Sequence, residues 1–168
     1  MKTRSNLSLF LFLALLSTSF YNCSTNKKAA KVEEQQVAAQ PTGPQLELNG
    51  DSDSQKAGPL KTVFFAYDSS ELSYESKAVL ESNAAFLKAS PKTVIQIEGH
   101  CDERGSVQYN LGLGDRRANA TKNYLLAQGV SASQITTVSF GKERPLEFGH
   151  DEPSWSKNRR ANFVITAL

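Results

Sequence analysis

The chain has 168 residues, 39% of them hydrophobic, with 19 Lys and Arg against 17 Asp and Glu. That length allows one folded domain plus appended segments. Residues 1–22 hold two of the basic residues and none of the acidic ones, so the remainder carries 17 of each sign, and this balance excludes the strongly basic surface that nucleic-acid binding demands.

In chain order, the first element is an export signal. Lys2 and Arg4 precede an apolar run from Leu7 to Leu16 that is too short to span a bilayer, so residues 1–22 read as a signal peptide. Cys23 follows. It reads either as the residual end of that signal or as the lipid-modified first residue of a lipoprotein, and its place between a short apolar run and a polar stretch favours the second. Residues 24–58 carry Glu33-Glu34-Gln35-Gln36, Pro41, Pro44 and Asp51-Ser52-Asp53-Ser54 with no sustained apolar period. Residues 23–58 are therefore expected to be a lipidated cysteine and a disordered tether averaging roughly 30–35 Å end to end. Two cysteines in an exported chain permit a disulfide; if Cys23 is acylated, Cys101 is a free thiol.

The folded domain is expected over residues 59–168. Thr62 to Tyr67 is rich in β-formers and reads as a strand, broken by Asp68-Ser69-Ser70. Ser73 is positioned as the N-cap of a helix from Tyr74 to Ala89, whose apolar face is Val79, Leu80, Ala84, Phe86 and Leu87. Thr93 to Glu98 is a second strand. A second helix runs over about 107–128 with Ala118, Thr121 and Leu125 inward, and Gly129 stops it. Ile135 to Phe140 alternates as a strand, residues 141–156 form a loop or short helix, and Arg160 to Ala167 alternates again with Ala161, Phe163 and Ile165 on one side. Two amphipathic helices on one mixed sheet make an α/β two-layer sandwich in the order β-α-β-α-β-(loop or short helix)-β.

The chemistry gathers at the strand ends. Asp68 lies just past the first strand and Asp102 just past the second. If those strands run parallel, both carboxylates meet at one end, beside the start of the second helix, whose free N–H groups favour anions. Adjacent helical residues point about 100° apart, so Arg116 and Arg117 cannot both face one ligand, and Arg117 lies beside the inner stripe. An Arg grips a carboxylate through two N–H bonds and an Asp accepts from an ammonium, which together suit a zwitterionic amino-acid terminus. The alternative is an ion pair of Asp102 with Arg116 or Arg117 that only pins the turn to the helix. His100 reads as a turn hydrogen-bonder or, with Cys101 and Asp102, as a metal ligand, a poor fit for three consecutive residues. His150-Asp151-Glu152 reads as a loop anchor, since no activated serine accompanies it. Trp155 serves loop packing, or else stacks on a sugar or a partner. Gly112 and Gly114 lack the third glycine of a nucleotide loop. Arg159-Arg160 reads as a strand-edge charge cluster.

The motifs Gly99-His100-x-Asp102-Glu103-Arg104-Gly105, Tyr109-Asn110, Leu113-Gly114-x-Arg116-Arg117-Ala118, Val138-Ser139-Phe140-Gly141-Lys142-Glu143-x-Pro145 and Ser156-Lys157-Asn158-Arg159-Arg160 together resemble the OmpA-like domain family, in its peptidoglycan-associated lipoprotein branch. The resemblance covers about Thr62 to Val164. It implies non-covalent binding of peptidoglycan through the diaminopimelate of the stem peptide, with Arg117 gripping its carboxylate, Asp102 accepting from its ammonium, and Tyr67, Asp68, Asn110 and Leu113 lining the pocket. It further implies a lipid anchor in the outer membrane at Cys23, a head in the periplasm, TolB and other Tol proteins as partners, no cofactor and no catalysis. Ala66 and Cys101 depart from the family pattern. They leave a rival reading, a surface-exposed lipoprotein that binds a host or envelope protein through a degenerate wall site.

Overall fold

The computed structural model describes residues 46–168; the export signal, Cys23 and the first part of the expected tether lie outside them. Four strands and three helices alternate: β1 (Val63–Phe64), α1 (Tyr74–Ala89), β2 (Val94–His100), α2 (Val107–Ala127), β3 (Ile135–Gly141), α3 (Glu152–Asn158) and β4 (Arg160–Ala167). The expected α/β two-layer sandwich is present, and the 141–156 connection contains the short helix α3. The strands lie in the order β1-β4-β2-β3. β4 is antiparallel to both β1 and β2, and β3 is parallel to β2. β1 and β2 therefore point the same way although β4 separates them, and Asp68 and Asp102 emerge at one end of the sheet.

Local chemistry explains the boundaries. Ser73 Oγ accepts from Ser76 N and starts α1; Ser106 Oγ accepts from Tyr109 N and starts α2. Gly129, with φ +86°, turns the chain out of α2. β1 is shorter than the sequence suggests. Phe65 N still donates to Arg159 O, but Ala66 and Ser69 give their carbonyls to Arg117 and Asp68 adopts φ +52°, a left-handed conformation that Asp tolerates, so the ladder ends there.

The core lies between the helices and one face of the sheet. Leu80, Ala84 and Leu87 of α1 and Ala118 and Leu125 of α2 cover Ile95, Ile97, Ala161, Phe163 and Ile165, with Val79 and Phe86 at the margin. Seating α2 so closely requires Gly99 and Gly114. A Cβ on Gly99 would stand 1.9 Å from Gly114 O, so Gly114 is a close-approach glycine rather than part of a nucleotide loop.

Two expectations are corrected. Residues 46–58 were expected within the tether, yet they pack as a strap on the domain. Leu46 bridges Ala57, Asp51 bridges Val164, and Asn49 N donates to Ile165 O. Ala57 and Leu60 are buried, and Ser52 Oγ donates to Asn162 Oδ1 while accepting from Phe163 N. The strap continues, beyond the two residues of β1, the pairing of an otherwise open β4 edge. Its polar sequence hid it because most of its attachment runs through backbone and side-chain hydrogen bonds. Arg159 and Arg160 are not an exposed edge cluster: β4 is an inner strand and both arginines are buried, with Arg160 Nε bonded to Asp53 Oδ2 at 2.7 Å.

Candidate functional site

At the carboxyl end of β2 a cavity of about 250 Å³ is lined by Tyr67, Asp68, Cys101, Asp102, Arg104, Gly105, Tyr109, Asn110, Leu113 and Arg117. All six pocket residues named from the sequence line it. A larger groove of about 570 Å³ runs along Phe64, Leu72 and Ser156, but its charged lining is limited to Glu71 and Lys157 and offers no cluster of opposed charges. The opposed charges cluster in the smaller cavity.

Arg117 forms the floor. It is 0% exposed and donates Nε to Ser69 O (2.8 Å), Nη1 to His100 O (2.7 Å) and Nη2 to Ala66 O (3.1 Å), while its guanidinium lies over Phe65. These bonds use three of five N–H donors and leave one on each terminal nitrogen. Burial pushes its pKa below the usual guanidinium range, with Cys101 and Asp102 opposing that shift. Arg116, one position round the helix, is exposed.

Asp102 does not pair with Arg117 or Arg116. Its Oδ1 accepts from Arg104 N and Nε, both at 3.1 Å, and its Oδ2 accepts from Arg104 Nη2 (2.6 Å) and Arg159 Nη1 (3.4 Å). Four donors fill the lone-pair sites of one carboxylate. Burial alone would raise its pKa, but the Arg104 and Arg159 bonds outweigh burial and hold the carboxyl below its usual range. Asp68 differs. It is exposed, and among the described residues its only side-chain partner is Tyr109, whose hydroxyl donates to Oδ1.

Asn110 braces the turn by donating to the carbonyls of Arg104 and Ser106, and Lys142 Nζ holds the same turn from outside through Glu103 O and Gly105 O. Cys101 is a buried free thiol whose Sγ lies 3.4 Å from Asn110 O; burial pushes its pKa up. His100 is not a turn hydrogen-bonder. It points to the other face of the sheet and stacks on Phe140, and neither ring nitrogen makes a hydrogen bond, although Nε2 comes within 3.4 Å of Glu98 Oε2. His150 is a loop anchor, 2.7 Å from Glu103. Among the described residues no three His, Cys, Asp or Glu side chains converge on a metal position.

The sequence reading gave Arg104 and Tyr109 no role of their own, set Trp155 to loop packing or stacking on a sugar or partner, and set Arg159 to a strand-edge cluster. Arg104 had a local signal, since a residue two positions after an Asp commonly donates its N–H back to that carboxylate. Arg159, 57 positions from Asp102, had none.

Fold and site together define a two-layer α/β domain with a small, polar, mixed-charge pocket at its strand ends. The pattern of the OmpA family matches residues 64–159, and the chain belongs to that family. It is 51% identical over 100 residues to the peptidoglycan-associated lipoprotein of Pasteurella multocida, covering 60% of this chain and 67% of that one. It is 50% identical over 109 residues to the peptidoglycan-associated lipoprotein of Pseudomonas aeruginosa, covering 65% and 64%. The matched part thus spans about two thirds of the length of these relatives. Among solved structures, the peptidoglycan-associated lipoprotein of Burkholderia pseudomallei superposes with a TM-score of 0.62 at 44% identity, over 64% of this chain and 93% of that one. The C-terminal domain of Helicobacter pylori MotB gives a TM-score of 0.61 at 20% identity, over 64% and 85%, a likeness of fold alone.

Proposed function

We propose that this chain is a peptidoglycan-binding envelope lipoprotein without catalytic activity, and that its pocket takes the diaminopimelate end of the stem peptide. The observation that carries this reading is the convergence of unspent arginine donors with an uncommitted carboxylate oxygen in one cavity of about 250 Å³. The two remaining N–H groups of Arg117, with Arg104 beside them, suit a carboxylate. The free oxygen of Asp68 accepts from an ammonium, and Asp102, its lone pairs occupied, contributes negative charge and holds Arg104. Tyr67, Asn110 and Leu113 shape the walls. Relatives named for their association with peptidoglycan support the assignment.

The proposed attachment has two points, an acylated Cys23 in the outer membrane and the pocket on the wall. Many tethered copies make a modest single-site affinity sufficient. TolB and other Tol proteins are the proposed partners in the periplasm.

The test is co-sedimentation of the detergent-solubilised full chain with purified sacculi, beside Asp68→Asn. Binding to diaminopimelate walls is expected, with loss in the variant and loss on walls carrying lysine, which lacks the second carboxylate. Equal binding to both wall types would overturn the assignment of the ligand. No binding to either would overturn the function.

A further inference from the structure

Arg104 is the exposed cation of the pocket, and its side chain stays 30% accessible. A guanidinium in a surface turn would ordinarily sample many rotamers. Here its carbon lies 4.0 Å from the ring centroid of Tyr67 and 4.0 Å from that of Trp155, so two aromatic rings hold it between them. Tyr67 comes from the β1–α1 connection and Trp155 from α3. Trp155 is itself fixed: its indole N–H donates to Glu103 Oε1 at 2.9 Å, and the same carboxylate takes His150. The base of α3 is anchored nearby, where Asp151 Oδ1 accepts from Ser154 N and Arg159 Nη2 donates to Glu152 Oε1 at 2.5 Å. With Asp102 fixing Nε and Nη2, Nη1 of Arg104 has no acceptor among the described residues.

We propose that Trp155 is a positioning residue for wall-peptide binding. It acts through Arg104, holding the guanidinium edge-on to Asp102 so that Nη1 stays available to the ligand carboxylate. This inference rests on the peptidoglycan reading above. A cation–π contact requires an aromatic face, not merely bulk, and an arginine that is already ordered has less freedom to lose on binding. The same geometry makes Trp155 a reporter, because it is the only tryptophan in the chain.

The experiment titrates the full chain in detergent with a soluble muropeptide whose stem ends in meso-diaminopimelate, following the Trp155 emission, and repeats the binding by calorimetry for the variants. In the unaltered chain a saturable change in emission is expected, and Arg104→Gln should abolish it. Trp155→Ala and Trp155→Leu should each weaken binding about five- to tenfold, the loss expected for one partly exposed cation–π contact. Trp155→Phe and Trp155→Tyr should restore most of the affinity. Parent-like affinity in Trp155→Leu would show that bulk alone suffices and overturn the proposal, as would binding by the unaltered chain with no change in emission. If Trp155→Ala does not fold, the Leu and Phe variants and the emission still decide. Absence of binding by the unaltered chain would remove the wall-binding reading together with this one. Binding by every Trp155 variant at parent affinity would remove only this one.

Discussion

The floor and the rim of the pocket each present an arginine, and the two are held in opposite ways. Arg117, on the floor, is fully buried and bonded to three backbone carbonyls, two in the β1–α1 connection and one at the end of β2, so it staples that connection to the strand. Arg104, on the rim, is held by one carboxylate and two aromatic faces, all side chains. The floor is part of the fold, whereas the rim is laid on top of it. Under the proposed wall binding, removing one arginine or the other would therefore have different consequences, and loss of binding on changing Arg117 does not by itself identify a contact.

The largest expected effect tests this division directly. Arg117→Ala leaves three carbonyls without their buried donors and opens a cavity, so it should lower the unfolding free energy by about 3–5 kcal/mol. Arg104→Ala, at a partly exposed site where Arg159 still serves Asp102, should cost only about 1 kcal/mol while still impairing muropeptide binding. Urea unfolding of both variants checks the pair, and equal losses would erase the distinction between floor and rim.

The strap extends the comparison to the far edge of the sheet. Asp53 accepts from Arg160 and from Thr62, both poorly exposed or partly buried. Asp53→Ala strands a buried guanidinium and should cost about 2 kcal/mol in the same assay, with wall affinity per folded molecule unchanged. An unaltered midpoint would show that the strap is dispensable.

The smallest effect is one of pH. Burial lowers the pKa of His100 from its usual 6.5, and the nearby Glu98 only partly offsets this; Arg160 lowers it further and Asp53 opposes. As pH falls below 6.5 the unfolded chain takes up the proton before the folded chain does, so stability declines with acidity until the folded His100 also titrates. A single proton bounds the slope at about 1.4 kcal/mol per pH unit. His100→Gln should flatten that decline in melting temperatures measured between pH 5 and 7. A decline of unchanged steepness would place its origin elsewhere.

How much was legible varied with the range of the interactions. α1 and α2 could be read almost to the residue because Ser73 and Gly129 act within one turn and the apolar spacing of Leu80, Ala84 and Leu87 is local. The pocket residues Tyr67, Asp68, Asp102, Asn110, Leu113 and Arg117 were named through strand ends and family motifs, and the structure gathers them in one cavity. Their pairing was not legible. The family resemblance made Asp102 the acceptor for an ammonium, and the alternative paired it with Arg117 or Arg116; its oxygens instead accept from Arg104, two residues away, and Arg159, 57 residues away.

The sequence by itself determined the two long helices α1 and α2, the alternating faces of β4, and the residue types that line the pocket. Each of these follows from backbone periodicity and capping over a few residues. Only the tertiary structure decided three other features. Residues 46–58 join the domain, the consecutive arginines at the start of β4, Arg159 and Arg160, go inward, and Trp155 reaches Arg104. The strap is held by hydrogen bonds to β4, more than a hundred residues away, and hydrophobic patterning does not register such bonds. Arg159 and Arg160 can be buried because Asp102, Glu152 and Asp53 arrive from other segments to neutralise them. Charge compensation of this kind depends on which segments the fold brings side by side, and that is set by the packing of the whole domain.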